Sequence, residues 1–307
     1  MSFGIHQLTP ATNQHNAIND SQPTPIRSRR PSKRAVVDGT LRFGVLTDVH
    51  YGNGDRDSET RDLHGCFDFW ENNSVDFTVQ LGDLIEGKGP EAEENLAGVA
   101  TVLREYPGTL YHVAGNHCLG APLDRYLKET GLVSPYYTFS MKGIRFIVLH
   151  GMDINPETIP ESDTDRSRKN LLMSDPWATL YCGAIGQQQI NWLVQQLDES
   201  KRQGEAAILL CHFPLLKESS DKPHGLLWNH DEVTDVLRRY RNIIACITGH
   251  LHRSAYVERY GIHFLTMPPF VKRNDPANYS CGMIELDNTF LTVSDQNMNL
   301  LHKLKIT

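Results

Sequence analysis

The sequence predicts an α/β domain. Short apolar, β-branched runs alternate with stretches of helical period, most of the runs stop at a Gly, Asp, Asn or His, and hairpin patterns close the chain. With 307 residues and 39% apolar content, there is material for one large domain or two modest ones with a real core.

Composition removes several function classes. The formal charge of -7 argues against a nucleic-acid or anionic-membrane binder, since both usually carry a basic excess. No apolar run reaches the roughly 18 residues that a bilayer span needs. The six cysteines, Cys66, Cys118, Cys182, Cys211, Cys246 and Cys281, are scattered without paired spacing. That predicts reduced thiols in a cytoplasmic protein and excludes a Cys-based zinc cage.

Residues 1–38 are rich in Asn, Gln, Ser, Thr and Pro and contain the basic stretch Arg27 to Arg34. They read as a disordered arm, with a basic partner-binding patch as the alternative. The Arg29-Arg30 pair is followed by no apolar segment, which argues against a twin-arginine signal. The domain is assigned to residues 39–307.

Its first strand, Leu41 to Thr47, delivers Asp48-Val49-His50 to its tip, where the alternation of an extended chain would put Asp48 and His50 on one side. A glycine loop, Tyr51 to Asp57, precedes a helix from Glu59 to Asn72 with Leu63, Cys66, Phe67 and Trp70 on its core face. The second strand, Phe77 to Leu81, ends in Gly82-Asp83. A helix over Glu91 to Glu105 leads to a third strand, Thr109 to Val113, which empties into Gly115-Asn116-His117. Tyr136 to Ser140 and Arg145 to Leu149 form a hairpin across Lys142-Gly143.

Residues 151–182 are polar, broken by Pro156, Pro160 and Pro176, and show no period. Such a stretch is a lid or specificity insert, or else a plain surface excursion. Gln187 to Gln203 is an amphipathic helix with Ile190, Leu193, Val194 and Leu197 inward, and the strand Ala207 to Leu210 carries His212 at its tip. After a helix near Asp231 to Arg239, the run Ile243 to Ile247 leads into Thr248-Gly249-His250-Leu251-His252. Gly249 permits a sharp turn, and His250 and His252 can then converge on one site; two loop histidines are the alternative. Ala255 to Val257 with Ile262 to Met267, and Met283 to Leu286 with Phe290 to Val293, read as hairpins completing a second sheet.

The strand tips thus collect Asp48, His50, Asp83, Asn116, His212, His250 and His252. Imidazole and oxygen donors without thiolate suit Mn, Fe or Zn and suit Ca or Mg poorly. Seven such ligands are too many for one ion and fit two, with the Asp83 carboxylate able to bridge. Two divalent ions acidify a shared water or hydroxide enough for it to attack phosphorus at neutral pH. His117, next to Asn116, should point off the ions toward substrate and donate a hydrogen bond or a proton, unless it merely supports its loop.

In this order, Asp-x-His, Gly-Asp, Gly-Asn-His, a His after a strand, and Gly-His-x-His resemble the calcineurin-like metallophosphoesterase superfamily over Leu41 to about Leu286. The resemblance implies a four-layer α/β/β/α sandwich of two mixed sheets flanked by helices. It also implies that Asp48, His50, Asp83 and His252 serve one ion, and that Asp83, Asn116, His212 and His250 serve the other. Gly183, the run Gln187 to Leu193, His212-Phe213-Pro214 and Trp228-Asn229 are similar to stretches of the manganese-dependent ADP-ribose/CDP-alcohol diphosphatases.

Three departures stand out. His50 replaces the Gln of the vertebrate diphosphatases of that type, and Cys118 replaces the Asp or Glu that in many members follows Gly-Asn-His and orients the imidazole. The Gly82 to Gly89 stretch lacks the Arg of the protein-phosphatase motif, which argues against a phosphoprotein substrate.

The resemblance implies a metal-dependent hydrolase that uses two Mn, Fe or Zn ions, Mn preferred, to cleave the diphosphate of small nucleotide conjugates, with Asn116 and His117 contacting substrate. A phosphodiesterase of cyclic nucleotides or glycerophosphodiesters shares every ligand, and a catalytically silent scaffold is the non-enzyme alternative. Head-group contacts are expected from Tyr51 to Arg61, from residues 151–182 and from the loop before Trp228.

Overall fold

A computed structural model describes residues 38–176, 181–220, 225–276 and 278–306. The arm assigned to the first residues of the chain, with its basic stretch, lies outside the described residues. In chain order the elements are β1 (Leu41–Leu46), α1 (Arg56–Asn72), β2 (Phe77–Gln80), α2 (Pro90–Leu103), β3 (Leu110–His112), α3 (Leu123–Thr130), β4 (Tyr137–Met141) and β5 (Ile144–Val148). There follow α4 (Asp163–Ser174), α5 (Gln187–Gln203), β6 (Ala206–Leu210), α6 (His230–Leu237), β7 (Ile243–Thr248), β8 (Ala255–Arg259), β9 (Ile262–Thr266), β10 (Gly282–Leu286), β11 (Phe290–Asp295) and β12 (Leu300–Lys305).

The strands form two six-stranded mixed sheets, ordered β12-β11-β10-β1-β2-β3 and β4-β5-β6-β7-β9-β8. The period of two in each strand decides which layers meet. In β6, Ala206, Ile208 and Leu210 face the other sheet together with Phe43, Phe77 and Ile284, while Ala207 and Leu209 face α5 and α6. The opposite face of the first sheet packs Leu46 and Met283 on Leu63 and Trp70 of α1 and on Leu96 and Val99 of α2. The result is the four-layer α/β/β/α sandwich. Between the sheets Phe43 stacks on Phe77 at 5.2 Å, and Phe146 meets Phe77 edge-on at 5.0 Å. Emptying this aromatic centre with Phe77→Ala costs about 3–5 kcal/mol, because a close-packed core collapses only partly.

The predicted helices and strands recur, with informative differences. α1 starts at Arg56 instead of Glu59, since Asp55 caps it through Ser58 N at 3.3 Å. The two C-terminal hairpins do not join each other in one sheet: β8-β9 continues the second sheet from β7, whereas β10-β11 continues the first from β1. Residues 151–182 are not without period throughout, because α4 lies within them. It buries only Arg168 and Leu172, so no apolar stripe announces it. Its start is nonetheless written in the chain: the Ser162 hydroxyl accepts from Asp165 N at 3.1 Å. α3 and the mostly exposed edge strand β12 escaped the pattern for the same lack of a continuous buried face.

Candidate metal centre

The carboxyl ends of β1, β2, β6 and β7 bring six of the seven expected ligands together, and the seventh, Asn116, immediately precedes His117, whose amide bonds Asp83. The Asp83 Oδ2 atom lies 3.1 Å from His212 Nε2 and 3.8 Å from His50 Nε2. Asp48 Oδ1 lies 3.4 Å from His252 Nε2 and 3.9 Å from His50 Nε2. The ring nitrogens of His50 and His252 approach to 3.1 Å, and those of His212 and His250 to 3.2 Å. Asp48, His50 and His252 form one group whose ligand atoms all lie within 4.8 Å of each other, and Asp83, His212 and His250 form a second. A third group, His50, Asp83 and His117, overlaps both.

The local backbone differs from the extended alternation expected. Asp48 (φ 52°), His50 (φ 48°), Asp83 (φ 50°), His250 (φ 71°) and His252 (φ 51°) all sit in the left-handed region. Such residues cost on the order of 1–3 kcal/mol each and persist only where their surroundings over-determine them. Here the surroundings do. Asp48 N donates to Gly82 O at 3.0 Å, His50 N to Asp83 O at 3.0 Å, and His250 N to Asp48 Oδ2 at 3.0 Å. Val271 N in turn donates to Asp48 O at 3.0 Å.

The chain does turn tightly after Gly249, Leu251 N donating to its carbonyl at 2.9 Å, but the need for glycine there is a different one. Its φ is not positive; what it supplies is room, since a Cβ there would come 2.0 Å from Thr47 Oγ1 and 2.7 Å from Asp48 Oδ2.

Hydrogen bonds behind the ligands fix which nitrogen faces inward. His212 Nδ1 donates to the Leu81 carbonyl at 2.9 Å, which makes Nε2 the nitrogen that faces Asp83. His50 Nδ1 lies 2.7 Å from Glu86 Oε2, which likewise turns its Nε2 inward. Glu86 was missed in the sequence, although it follows Asp83 on the same loop. Its other oxygen lies 3.3 Å from His117 Nδ1, so the orienting carboxylate absent at position 118 comes from this loop. Cys118 instead points into the core, where its Sγ accepts from Leu84 N at 3.4 Å and burial pushes its thiol up to about 12.

Electrostatics hold the carboxylates ionised. Burial alone would raise Asp83, but the neighbouring His212 and His50 outweigh it and bring the group down to about 2. Asp48 is likewise held well below the ordinary range, burial being overcome by contacts with His252 and His50. Burial pushes His250 down to about 3, and the charge of His212 adds to that.

Two buried oxygens, Asp48 Oδ1 and Asn116 Oδ1, have no hydrogen-bond partner among the described residues. Leaving such an atom bare costs about 1–3 kcal/mol, and cations held between these donors would remove that cost. The donor set therefore fits two divalent transition ions, with Asp83 placed between the groups.

His117 belongs both to this cage and to the space beside it. Its amide donates to Asp83 Oδ1 at 2.8 Å, and its ring stacks on Tyr181 at 5.3 Å between centroids. Burial lowers its pKa, partly offset by the charges of Asp83 and Glu86. Beyond it opens a cleft of about 530 Å³ whose walls include Asn116, Lys88, Glu91, Met152, Glu157 and Tyr181. Residues 151–182 thus line the cleft, whereas Tyr51 to Arg61 do not. Tyr51 is buried with its hydroxyl 3.2 Å from Thr60 Oγ1, and Arg56 is paired with Glu94 at 2.7 Å. Trp228-Asn229 is a structural bracket: Asn229 bonds both backbone groups of Ile185 at 2.9 Å, and Trp228 Nε1 donates to Asp175 at 3.2 Å.

Residues 41–254 match the family described as Calcineurin-like phosphoesterase. The chain belongs to this family. Like other calcineurin-like phosphoesterases, it is a metal-dependent phosphoester hydrolase. Among relatives, it is 26% identical over 299 residues to the manganese-dependent ADP-ribose/CDP-alcohol diphosphatase of Arabidopsis thaliana, covering 83% of this chain and 94% of that protein. The protein of the same name from Oryza sativa subsp. japonica is 28% identical over 296 residues, covering 83% and 91%. In fold the chain is similar to a dimetal phosphatase from Danio rerio, with a TM-score of 0.70 at 21% identity over 87% of this chain and 98% of that one.

Proposed function

We propose that this calcineurin-like phosphoesterase cleaves the diphosphate of small nucleotide conjugates of the ADP-ribose or CDP-alcohol type, with manganese as its preferred metal. The observation that carries the reading is the juxtaposition of Asp83, within reach of both imidazole groups, with His117 at the mouth of a cleft of about 530 Å³. A single phosphate needs far less space, and ligand clefts of about 300–1,000 Å³ hold nucleotide-sized groups. The names of the plant relatives support the same substrate class.

Asp48, His50 and His252 would hold one ion, and His212, His250 and Asn116 the other, with Asp83 shared. When bound, such ions neutralise phosphate oxygens and acidify water. Asn116 and His117 contact the phosphoryl oxygens. His117, oriented by Glu86, passes a proton to the leaving oxygen, and the charges of Asp83 and Glu86 partly offset the burial that disfavours the imidazolium. The free, buried cysteines support a reducing, cytoplasmic setting. Among the described residues no helix is long and apolar enough to cross a membrane.

The reading is tested by metal analysis of the purified chain, followed by a substrate screen with added manganese. ADP-ribose and CDP-alcohols should be turned over in preference to cyclic nucleotides and glycerophosphodiesters. A reversed order would establish the phosphodiesterase, and absence of both metal and turnover the scaffold. His117→Ala should slow turnover about 10²-fold with metal content retained, as for loss of an acid catalyst. Unchanged kinetics would reassign His117 to loop support.

A further inference from the structure

The cleft beyond His117 has a chemistry of its own. Asn116, only 8% exposed and with its Oδ1 unpartnered, lines it beside His117, so it is continuous with the metal centre. Three carboxylates, Glu86, Glu91 and Glu157, share its polar wall with Lys88, Asn116, His117 and Asn155. Glu91 stands in the first turn of α2 and Glu157 in the insert, and neither has an ion-pair partner among the described residues. Lys88 is the cation on the same wall. Leu119, Met152 and Tyr181 add an apolar and aromatic surface.

We propose that this cleft is the subsite for the leaving-group side of the substrate and that it selects an uncharged, hydroxyl-bearing group, a pentose, over a further phosphate. The inference rests on the diphosphatase reading and adds which part of the substrate lies where. A carboxylate only accepts hydrogen bonds, and a vicinal diol offers two donors at matching spacing. A terminal phosphate offers acceptors and negative charge, and so meets repulsion from Glu91 and Glu157. Lys88 can take the oxygens of the one phosphate that departs with the sugar. A furanose also has a carbon face, which suits Leu119, Met152 and Tyr181, whereas inorganic phosphate has none. Glu91 and Glu157 are exposed, so their preference comes from accepting hydroxyl donors and repelling a second phosphate, not from burial.

The test uses the full-length, manganese-loaded protein and product-type inhibitors. Hydrolysis of bis-p-nitrophenyl phosphate is inhibited in parallel by ribose 5-phosphate and by inorganic phosphate. Ribose 5-phosphate should bind at least about tenfold tighter, one hydrogen bond being worth about that factor. Glu91→Ala and Glu157→Ala should each cut this preference several-fold, with metal content and circular dichroism as checks on folding. Equal inhibition by the two anions in the wild type, or a preference untouched in both variants, would overturn the proposal. Stronger inhibition by phosphocholine than by ribose 5-phosphate would overturn it in favour of a cationic head group. If the wild type hydrolyses bis-p-nitrophenyl phosphate but not ADP-ribose, the diphosphatase reading fails, while the inhibitor comparison still reports on the cleft.

Discussion

The candidate metal cage and the insert over residues 151–182 are held by different means. The cage is buried, lies at the ends of central strands, and is built of backbone tied to backbone: Asp48 to Gly82, His50 to Asp83, Gly249 to His212 at 2.9 Å. The insert is tied by one backbone pair, Ile154 with Ala184 at 2.8 Å, and otherwise clipped on by side chains. Arg168 of α4 reaches out to both oxygens of Glu232 at 2.9 and 3.0 Å, while within the insert it pairs with Asp165 and Lys169 donates to the Thr158 carbonyl at 2.6 Å. The candidate ligands are thus placed where the fold cannot shift without losing its core, and the wall proposed to meet the variable part of the substrate is placed where single contacts can be traded.

Asp83→Asn should break the cage side of that comparison hardest. An amide cannot offer two anionic oxygens, so turnover on bis-p-nitrophenyl phosphate should fall by on the order of 10³-fold or more, with metal lost in elemental analysis, while secondary structure is kept. Retained metal and turnover would show that Asp83 is not shared between ions.

Acid should separate the regions next. His112 beside the edge of the first sheet and His150 at the root of the insert are buried, and burial brings each down to about 4. Between pH 6.5 and 4 the unfolded chain takes up a proton at each and the folded chain does not, so stability is full above 6.5 and falls as the pH is lowered to about 4. Each histidine should contribute at most about 3 kcal/mol to that loss, read by denaturant unfolding of the metal-free protein. His112→Phe should flatten the slope; an identical slope would locate the proton uptake elsewhere.

The smallest effect is expected at the clip. Arg168→Ala leaves Asp165 and a part-exposed Glu232 without their cation and should cost about 1–2 kcal/mol, less than a fully buried pair because solvent screens Glu232. KM for nucleotide conjugates should rise more than kcat falls, since the insert borders the cleft. An equal fall in kcat on bis-p-nitrophenyl phosphate would mean that the insert also supports the cage.

The same contrast explains what could be read from the chain. α5 was legible to the residue because Ile190, Leu193 and Leu197 repeat at helical spacing toward one core. The cage residues were legible because each follows an apolar run. What failed was the reasoning for their convergence: extended alternation was expected, and left-handed backbone was found. α4 was illegible as a helix because its stability comes from a cap and an Arg fork, which leave no periodic stripe. Glu86 was passed over because its value depends on two imidazoles from different strands, a proximity that no local spacing encodes.

Five of the cage positions require a conformation that branched aliphatic side chains avoid and that Asp, Asn and His tolerate comparatively well. Those same residue types are good donors to divalent cations. Drift at these positions is therefore filtered twice, by foldability and by coordination, and both filters admit nearly the same few amino acids. A descendant that abandoned catalysis would still be under pressure to keep much of this signature, so intact motifs alone are a poorer witness to activity here than in a site made from unstrained backbone.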